Sequence, residues 1–114
     1  MWPIRNSPEP VPAWSTGAME LVHDADASTY RLVAEGATLS QADYRVRAAA
    51  GAGDTVYVFH HTYTQPVHRG QGLAERVVRF ALDDARTRGV KVAATCWFVA
   101  DFLRDHHEYS DLVA

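Results

Sequence analysis

The sequence predicts an α/β fold of the α+β type: an antiparallel meander of strands, then a strand–helix–strand unit, then a C-terminal helix. Three observations support this prediction. Short runs of alternating apolar residues, separated by turn-forming residues, fill the first half of the chain. An apolar run at 56–59 precedes a glycine-rich stretch, and an amphipathic run with helical spacing follows over 73–88. A second apolar run and a second amphipathic run come after it.

Composition indicates one soluble domain. The chain has 114 residues, and 47% of them are hydrophobic, which is enough for a core. The net charge is −3 and no basic patch is present, so nucleic acid is not an expected partner. No apolar run reaches membrane-spanning length and no signal-peptide core follows Met1, which predicts a cytoplasmic protein without a membrane partner. The single cysteine, Cys96, excludes an internal disulfide and a multi-cysteine zinc site.

The N-terminal residues 1–17 differ from the rest because they are rich in proline. Proline lacks a backbone donor and favours extended conformations. We therefore expect a mobile N-terminal arm over 1–17 and a folded domain over 18–114.

Three strands are predicted in the first half, over residues 18–23, 29–35 and 38–47. Residues 24–28 form the first turn, Gly36 ends the second strand, and small residues over 48–54 form a hairpin loop. Because short connections make consecutive strands antiparallel neighbours, these strands and the next one form the meander.

The fourth strand, over 55–62, is apolar on both faces as far as Phe59, which is typical of a central strand. His60 and His61 follow, and because strand residues alternate we expect their side chains on opposite faces, with His60 in packing. Pro66 stops the hydrogen bonding of this strand before the glycine-rich stretch.

Residues 73–88 carry an apolar stripe at helical spacing, with charged residues on the opposite side. Gly89 is placed to cap this helix at its C-terminal end. A strand over 90–96 then returns parallel to the fourth strand, because a helical crossover joins them. A second helix is predicted over 97–107, and the tail over 109–113 either adds a short strand or packs as coil.

The stretch His68–Ala74 joins the fourth strand to the first helix and predicts a phosphate site. Backbone N–H groups at a helix start have no intrahelical partner, and the helix dipole adds positive charge there. Gly70 and Gly72 permit close approach and a positive φ, and Arg69 adds a cation. Glu75 occupies the position of the third glycine of a dinucleotide fingerprint, and no P-loop lysine follows. A glycine turn that only caps the helix is the alternative.

The pattern formed by Arg69, Gly72 and Ala74 resembles the pyrophosphate loop of the GNAT superfamily, the acetyl-CoA-dependent N-acetyltransferases. The second half of the chain is similar to a small single-domain branch of that superfamily, over about residues 55–113. The segments that carry the resemblance are His61-Thr62, Arg69-Gly70-Gln71-Gly72-Leu73-Ala74, Cys96-Trp97-Phe98-Val99 and His106-His107-Glu108-Tyr109.

The chain departs from that branch at three positions. Tyr63 stands where the branch has glutamate, Trp97 where it has proline, and Phe102 where it has an aromatic hydroxyl. These departures affect acid–base roles carried at those positions and leave the glycine loop untouched.

The resemblance implies a mixed sheet of GNAT type and acetyl-CoA as co-substrate, with transfer of its acetyl group to an unidentified amine. It implies that backbone amides of the fourth strand meet the acetyl group and pantetheine and that the loop holds the pyrophosphate. The implied donor-binding residues are Thr62, Tyr63, Thr64, Arg69, Gly70, Gln71, Gly72, Leu73 and Ala74. The alternative is a non-catalytic CoA- or acyl-CoA-binding module, or a protein-interaction adaptor, on the same fold; either a monomer or a homodimer is compatible.

Three residues are catalytic candidates. His61 is the candidate base, because an ordinary histidine pKa near ~6.5 suits proton transfer at neutral pH; the alternative is a structural strand histidine. Cys96 is a nucleophile for a two-step transfer, a pocket wall or a core residue. Tyr109 donates a proton to the leaving thiolate or packs the C-terminal tail.

A metal site is not expected. The six histidines include two adjacent pairs, but neighbouring strand residues diverge and no further ligands stand at suitable spacing.

Overall fold

The computed structural model describes residues 19–48 and 55–114. Within these ranges the strands are β1 (Glu20–Asp24), β2 (Thr29–Ala34), β3 (Ala37–Ala48), β4 (Thr55–Thr64) and β5 (Lys91–Ala94). The α-helices are α1 (Leu73–Arg88) and α2 (Trp97–Asp105), and 3-10 helices span Pro66–His68 and His107–Leu112. The predicted arm over 1–17 and all but the first residue of the predicted loop over 48–54 lie outside the described residues.

The strands form one sheet in chain order, antiparallel from β1 to β4 and parallel between β4 and β5. The crossover between the two parallel strands is α1. The predicted α/β class, with a meander followed by a strand–helix–strand unit and a C-terminal helix, is therefore confirmed.

The core lies on the face of the sheet that α1 covers. The buried stripe of α1 consists of Leu73, Val77, Val78, Ala81, Leu82 and Ala85. It belongs to one cluster with Tyr30, Leu32, Ala42, Tyr44 and Phe59 of the sheet and with Val99 and Phe102 of α2. Both helices therefore lie on the same face, which we call the helix face. Strand residues that alternate with these buried ones, such as Arg31, Asp43 and Arg45, point to the other face, which we call the outer face.

Local signals set the limits of α1. The helix starts after Gly72 and ends at Gly89, and both glycines adopt the left-handed conformation, with φ of 77° and 74°. The amide of Gly89 donates to the carbonyl of Ala85, so the predicted C-terminal cap is present.

Two predicted elements end earlier than expected. The strand predicted over 90–96 stops at Ala94, because the amides of Thr95 and Cys96 both donate to the carbonyl of Phe59 and the chain turns into α2. The helix predicted over 97–107 stops at Asp105, and the tail forms a 3-10 helix with one parallel bridge from Val113 to Val92.

A polar network fills the space between the sheet and the C-terminal half of α1; its members are His23, Tyr30, Tyr44, Asp84 and Arg88. Asp84 accepts hydrogen bonds from the hydroxyl of Tyr30 at 2.8 Å and from Nε of Arg88 at 2.6 Å. His23 stacks on Tyr30 with ring centroids 4.1 Å apart, and its Nε2 lies 2.7 Å from the hydroxyl oxygen of Tyr44. We call this group the closed end of the molecule.

None of the helices in the described part of the chain is long and apolar enough to cross a membrane.

Candidate functional site

The strands β4 and β5 separate on the far side of Phe59, at the opposite end of α1 from the closed end. Their paired register runs from Val56 and Lys91 to Phe59 and Ala94. The carbonyl of Phe59 then receives both of the next two amides of the β5 chain, from Thr95 at 2.9 Å and Cys96 at 3.2 Å. Past this point the edge of β4 has no β5 residue in register with it. The main-chain N–H groups of this edge are therefore available to a ligand, whereas the carbonyl of Thr64 accepts from Nε of Arg69.

A bulge in β4 sits where the opening begins. Tyr44 of β3 pairs with Phe59 and Asp43 pairs with His61, so His60 is an extra residue. Phe59 and Thr62 pair with the core residues Tyr44 and Ala42 and so face the helices. The two histidines between them therefore both lie toward the outer face.

The expected placement of these histidines on opposite faces is thus wrong, because the bulge adds a residue and shifts the alternation. His60 was expected in packing, yet both His60 and His61 are exposed. His61 stands opposite Asp43, on the outer face beside the opening.

The glycine loop has the geometry of an anion site. Gly70 and Gly72 adopt φ of 84° and 77°, a region that favours glycine. The first helical hydrogen bond of α1 runs from the amide of Arg76 to the carbonyl of Gly72 at 3.2 Å. The amides of Leu73, Ala74 and Glu75 precede that bond, so they form the free N-terminal end of the helix.

Arg69 is held over the opening by two contacts. Its Nε donates to the carbonyl of Thr64 at 3.0 Å. Its guanidinium carbon lies 5.9 Å from the centroid of the Tyr63 ring, within the range of a cation–π interaction. The Nη groups take no part in the bond to Thr64, and they are the ones that can bind an anion.

Two adjoining cavities lie between the loop, the end of β4 and the start of α2. The first has a volume of about 260 Å³, and its lining includes Gly70, Gly72 and Leu73. The second has a volume of about 320 Å³, and its lining includes Thr62 and Tyr63. Four residues line both cavities, which makes them one continuous groove: Thr64, Arg69, Ala74 and Phe98. We call the two parts the loop cavity and the strand cavity.

The groove brings together nearly all the predicted donor-binding residues. Of the nine, only Gln71, which is exposed, lines neither cavity. Sequence reasoning did not assign Phe98 and Trp97 to the site, although Phe98 lines both cavities and Trp97 lines the strand cavity. Both follow Cys96 directly, so the matched segment 96–99 was the signal that would have found them.

Cys96 lies at the inner end of the opening, at the start of α2. It is half-buried against the core, and its Sγ lies 3.7 Å from Oγ1 of Thr62. Thr62 faces the helices, whereas His61 lies toward the outer face. The structure therefore brings Cys96 to Thr62 and places His61 on the other side of β4.

The structure does not bring Tyr109 to the opening. Tyr109 is buried, and its hydroxyl donates to Oδ1 of Asp83 on α1 at 2.9 Å. Burial and this carboxylate raise the pKa of the Tyr109 hydroxyl. These contacts are those of a residue that packs the C-terminal 3-10 helix onto α1.

Within residues 19–48 and 55–114, no group of three or more histidine, cysteine, aspartate or glutamate side chains is arranged to hold a metal ion.

Comparison with known proteins places the chain in a family. A family model described as GCN5-related N-acetyl-transferase matches residues 29–112, which is most of the chain. The chain therefore belongs to the GCN5-related N-acetyltransferase (GNAT) family. No curated protein matches the chain at a significant level.

Solved structures share the fold at low sequence identity. A GCN5-like protein from Staphylococcus aureus, solved by NMR, superposes with a TM-score of 0.58 at 18% identity, covering 87% of this chain and 91% of that one. The aminoglycoside acetyltransferase meta-AAC0020 from an uncultured soil metagenomic sample gives 0.57 at 11% identity, covering 68% of this chain. A ribosomal-protein-alanine N-acetyltransferase from Brucella melitensis gives 0.53 at 18% identity, covering 60%.

These three relatives differ in chain length. The chain spans 54% of the metagenomic enzyme and 46% of the Brucella enzyme, but nearly all of the staphylococcal protein. The fold is therefore shared with all three, and the overall size with one of them.

Proposed function

We propose that this protein is an acetyl-CoA-dependent N-acetyltransferase that transfers the acetyl group to an amine. The observation that carries the proposal is the continuous groove from the free helix N-terminus to the open edge of β4. A phosphate site and an unpaired strand edge in one groove suit a long donor that has a pyrophosphate at one end and an amide-containing arm at the other.

The loop cavity supplies the phosphate half of the site. The amides that open α1 and the helix dipole favour an anion there, and Arg69 adds a full positive charge. The strand cavity supplies the other half, because Thr62 and Thr64 line it beside the free edge of β4. Bound acetyl-CoA would supply the activated acetyl group, with its thioester toward the strand cavity.

The transfer exchanges one bond for another. The acceptor nitrogen attacks the thioester carbon, so that a C–N bond forms and the C–S bond breaks. The sulfur leaves with the electron pair, and the nitrogen gives up one proton. His61 is our candidate for that proton, directly or through water, because it lies beside the opening and is exposed. Main-chain N–H groups of β4 at the opening are the candidates that polarise the carbonyl.

The relatives do not identify the acceptor. One structure contains the aminoglycoside sisomicin, and another protein is named for an alanine of a ribosomal protein. Because both acceptors are amines of very different size, the fold is compatible with many amine substrates.

A second candidate is a protein that binds CoA or acyl-CoA without catalysis. Two observations support this candidate: Tyr109 donates to Asp83 away from the opening, and Tyr63 stands where the resemblance leads us to expect a carboxylate. Free thiol release in the presence of an amine mixture separates the two candidates, since only the enzyme releases CoA.

The first experiment is the melting temperature with and without acetyl-CoA for wild type, Ala74→Glu and Ala74→Gln. Ala74 lies in the first turn of α1 and lines both cavities. The glutamate repels a phosphate but is well tolerated at a helix N-terminus, and the glutamine adds the same bulk without the charge. Donor at ten times its dissociation constant stabilises the native state by about 1.4 kcal/mol, which is several degrees for a domain of this size.

We expect a shift in wild type, a smaller shift in Ala74→Gln and none in Ala74→Glu. Equal shifts in all three proteins would mean that acetyl-CoA binds elsewhere. No shift in wild type at millimolar acetyl-CoA would overturn the proposed function.

A further inference from the structure

Two exposed aromatic side chains line the strand cavity: Tyr63, on the outer face of β4, and Trp97, at the start of α2. Tyr63 is 42% exposed and Trp97, the first residue of α2, is 74% exposed. Tryptophan is highly buried on average, so an indole this exposed beside a cavity indicates a surface that contacts another molecule.

The side of the sheet identifies which molecule approaches Tyr63. Tyr63 pairs with Gln41 and His61 pairs with Asp43, so both side chains lie on the outer face of β4. The loop amides and Ala74 lie at the start of α1, on the helix face. Under the proposed function the donor occupies the helix face, and the acceptor therefore reaches the opening past Tyr63.

The charges around the strand cavity determine which of its groups can attract an acceptor. Among the residues that the structure describes, the lining consists of Thr62, Tyr63, Thr64, Arg69, Ala74, Trp97 and Phe98, and none of these is a carboxylate. An alkylamine is a cation at neutral pH, because its pKa resembles that of lysine, about 10.4. Arg69 repels such a cation, and the hydroxyls attract it only weakly. The aromatic faces are the groups in this lining that attract it most, and the indole is the strongest of them.

The two rings are not equally available. The guanidinium of Arg69 lies over the Tyr63 ring at 5.9 Å. Trp97 has its contact with Phe98 in an edge-to-face arrangement, with centroids 6.0 Å apart and planes at 77°. Because Trp97 remains 74% exposed in that contact, it has indole surface free for a ligand.

We propose that Trp97 docks the alkylammonium group of the acceptor, with Tyr63 as the flanking wall, and that the acceptor is an exposed primary alkylamine such as a lysine side chain of a peptide. This inference rests on the proposed function. The exposure of both rings favours an acceptor presented from a surface over a small amine enclosed in a pocket. The docked ammonium loses one proton before its nitrogen attacks, and the second proton leaves as the C–N bond forms. His61 shares the outer face with Tyr63, the side on which we place the acceptor.

The test measures selectivity for charge with a probe that does not react. Nα-acetyl-Nε-trimethyl-lysine amide carries one permanent cation and no free amine, and its analogue with carbon in place of the quaternary nitrogen has the same shape without charge. Calorimetric titration of each into the CoA-saturated protein gives the ratio of their dissociation constants. We expect wild type to prefer the cation by about fivefold, Trp97→Leu to lose the preference and Trp97→Tyr to keep most of it.

Val67→Ala is the matched control, because Val67 is also 74% exposed but does not line the strand cavity. Its preference should equal that of wild type. Equal affinity of wild type for the two probes, or an unchanged preference in Trp97→Leu, would overturn the inference.

A CoA titration precedes these measurements, and it distinguishes failure of the proposed function from failure of the acceptor assignment. If CoA does not bind wild type, the proposed function fails and the acceptor assignment fails with it. If CoA binds and the cation is not preferred, the acceptor assignment alone is wrong.

Discussion

The two ends of α1 differ in where their polar groups find partners. At the closed end, a carboxylate, two phenols, a histidine and an arginine bond to one another within the chain. At the start of α1, which we call the open end, the helix amides, the edge of β4 and the guanidinium of Arg69 face a groove. One helix thus connects a region whose polar groups bond to one another with a region whose polar groups are free to bond to a ligand.

This difference indicates that one end of α1 stabilises the fold and the other end binds a ligand. Buried groups that satisfy one another stabilise and rigidify a fold, whereas groups aimed at a groove contribute only when a ligand arrives. We therefore expect substitutions at the closed end to change the free energy of unfolding. Substitutions at the open end should change ligand affinity more than stability.

The largest effect on stability is expected for Leu82→Ala. Leu82 is fully buried on α1, and its truncation should reduce the free energy of unfolding by about 3 kcal/mol through lost burial and a cavity. Phe98→Ala, at the half-buried open end, should cost less stability and weaken acetyl-CoA binding more. Urea unfolding and calorimetry measure both quantities. Equal destabilisation by the two substitutions would mean that the open end is part of the core.

Asp84→Ala tests the network itself. The substitution removes the acceptor for Tyr30 and Arg88, and it leaves the Tyr30 hydroxyl without its partner. We expect a loss of about 2 kcal/mol in urea unfolding, with donor affinity unchanged. Asp105→Ala is the control, because Asp105 is exposed at the end of α2, and its effect should stay within about 0.5 kcal/mol. A loss of acetyl-CoA affinity in Asp84→Ala would contradict the division between the ends.

The two glycines that flank α1 allow a matched comparison of the ends. Gly72 and Gly89 have nearly equal φ, 77° and 74°, and an added Cβ meets nothing within 4 Å at either position. Alanine at each should therefore cost about 1 kcal/mol through backbone strain alone. Only Gly72→Ala should also weaken acetyl-CoA binding, because Gly72 lies in the loop. Equal donor affinity in the two variants would remove the glycine loop from the binding site.

Local signals explain what the sequence could predict. The bounds of α1 agree with prediction because the apolar stripe and the capping glycine are both contained in the segment itself. The position of the glycine loop before α1 agrees with prediction for the same reason, since the glycines and the helix start are adjacent in sequence.

Long-range pairing explains which features could not be predicted from the sequence. The bulge that moves His60 and His61 onto one face exists only in the register with β3. The end of β5 at Ala94 depends on two amides that share the carbonyl of Phe59. The hydroxyl of Tyr109 has its partner on α1, which no motif around position 109 reveals. Each of these features requires two distant segments to be in place.

The smallest expected effect is the pH dependence of stability at the closed end. The side chain of His23 is only 6% exposed, and its Nδ1 lies 3.2 Å from Oδ2 of Asp84 without the geometry of a hydrogen bond. Burial, and next the charge of Arg88, lower the pKa of His23 from 6.5, while Asp84 and Asp24 oppose the shift. The folded state therefore prefers neutral His23.

The sign of the effect follows from proton counts. Below about pH 6.5, His23 is protonated in the unfolded chain but stays neutral in the folded protein. The free energy of unfolding therefore falls with falling pH until the pKa of His23 in the folded protein is reached. The pKa of Asp84 is also lowered, but from 3.8, so its contribution is lost only in more acidic solution. Urea unfolding at pH 7.5 and 5.5 should show a decrease that His23→Gln reduces and that replacement of the exposed His107 leaves unchanged. If His23→Gln shows the same decrease as wild type, titration of His23 does not cause it. The polar contacts of the closed end would then contribute to the free energy of unfolding equally at both pH values.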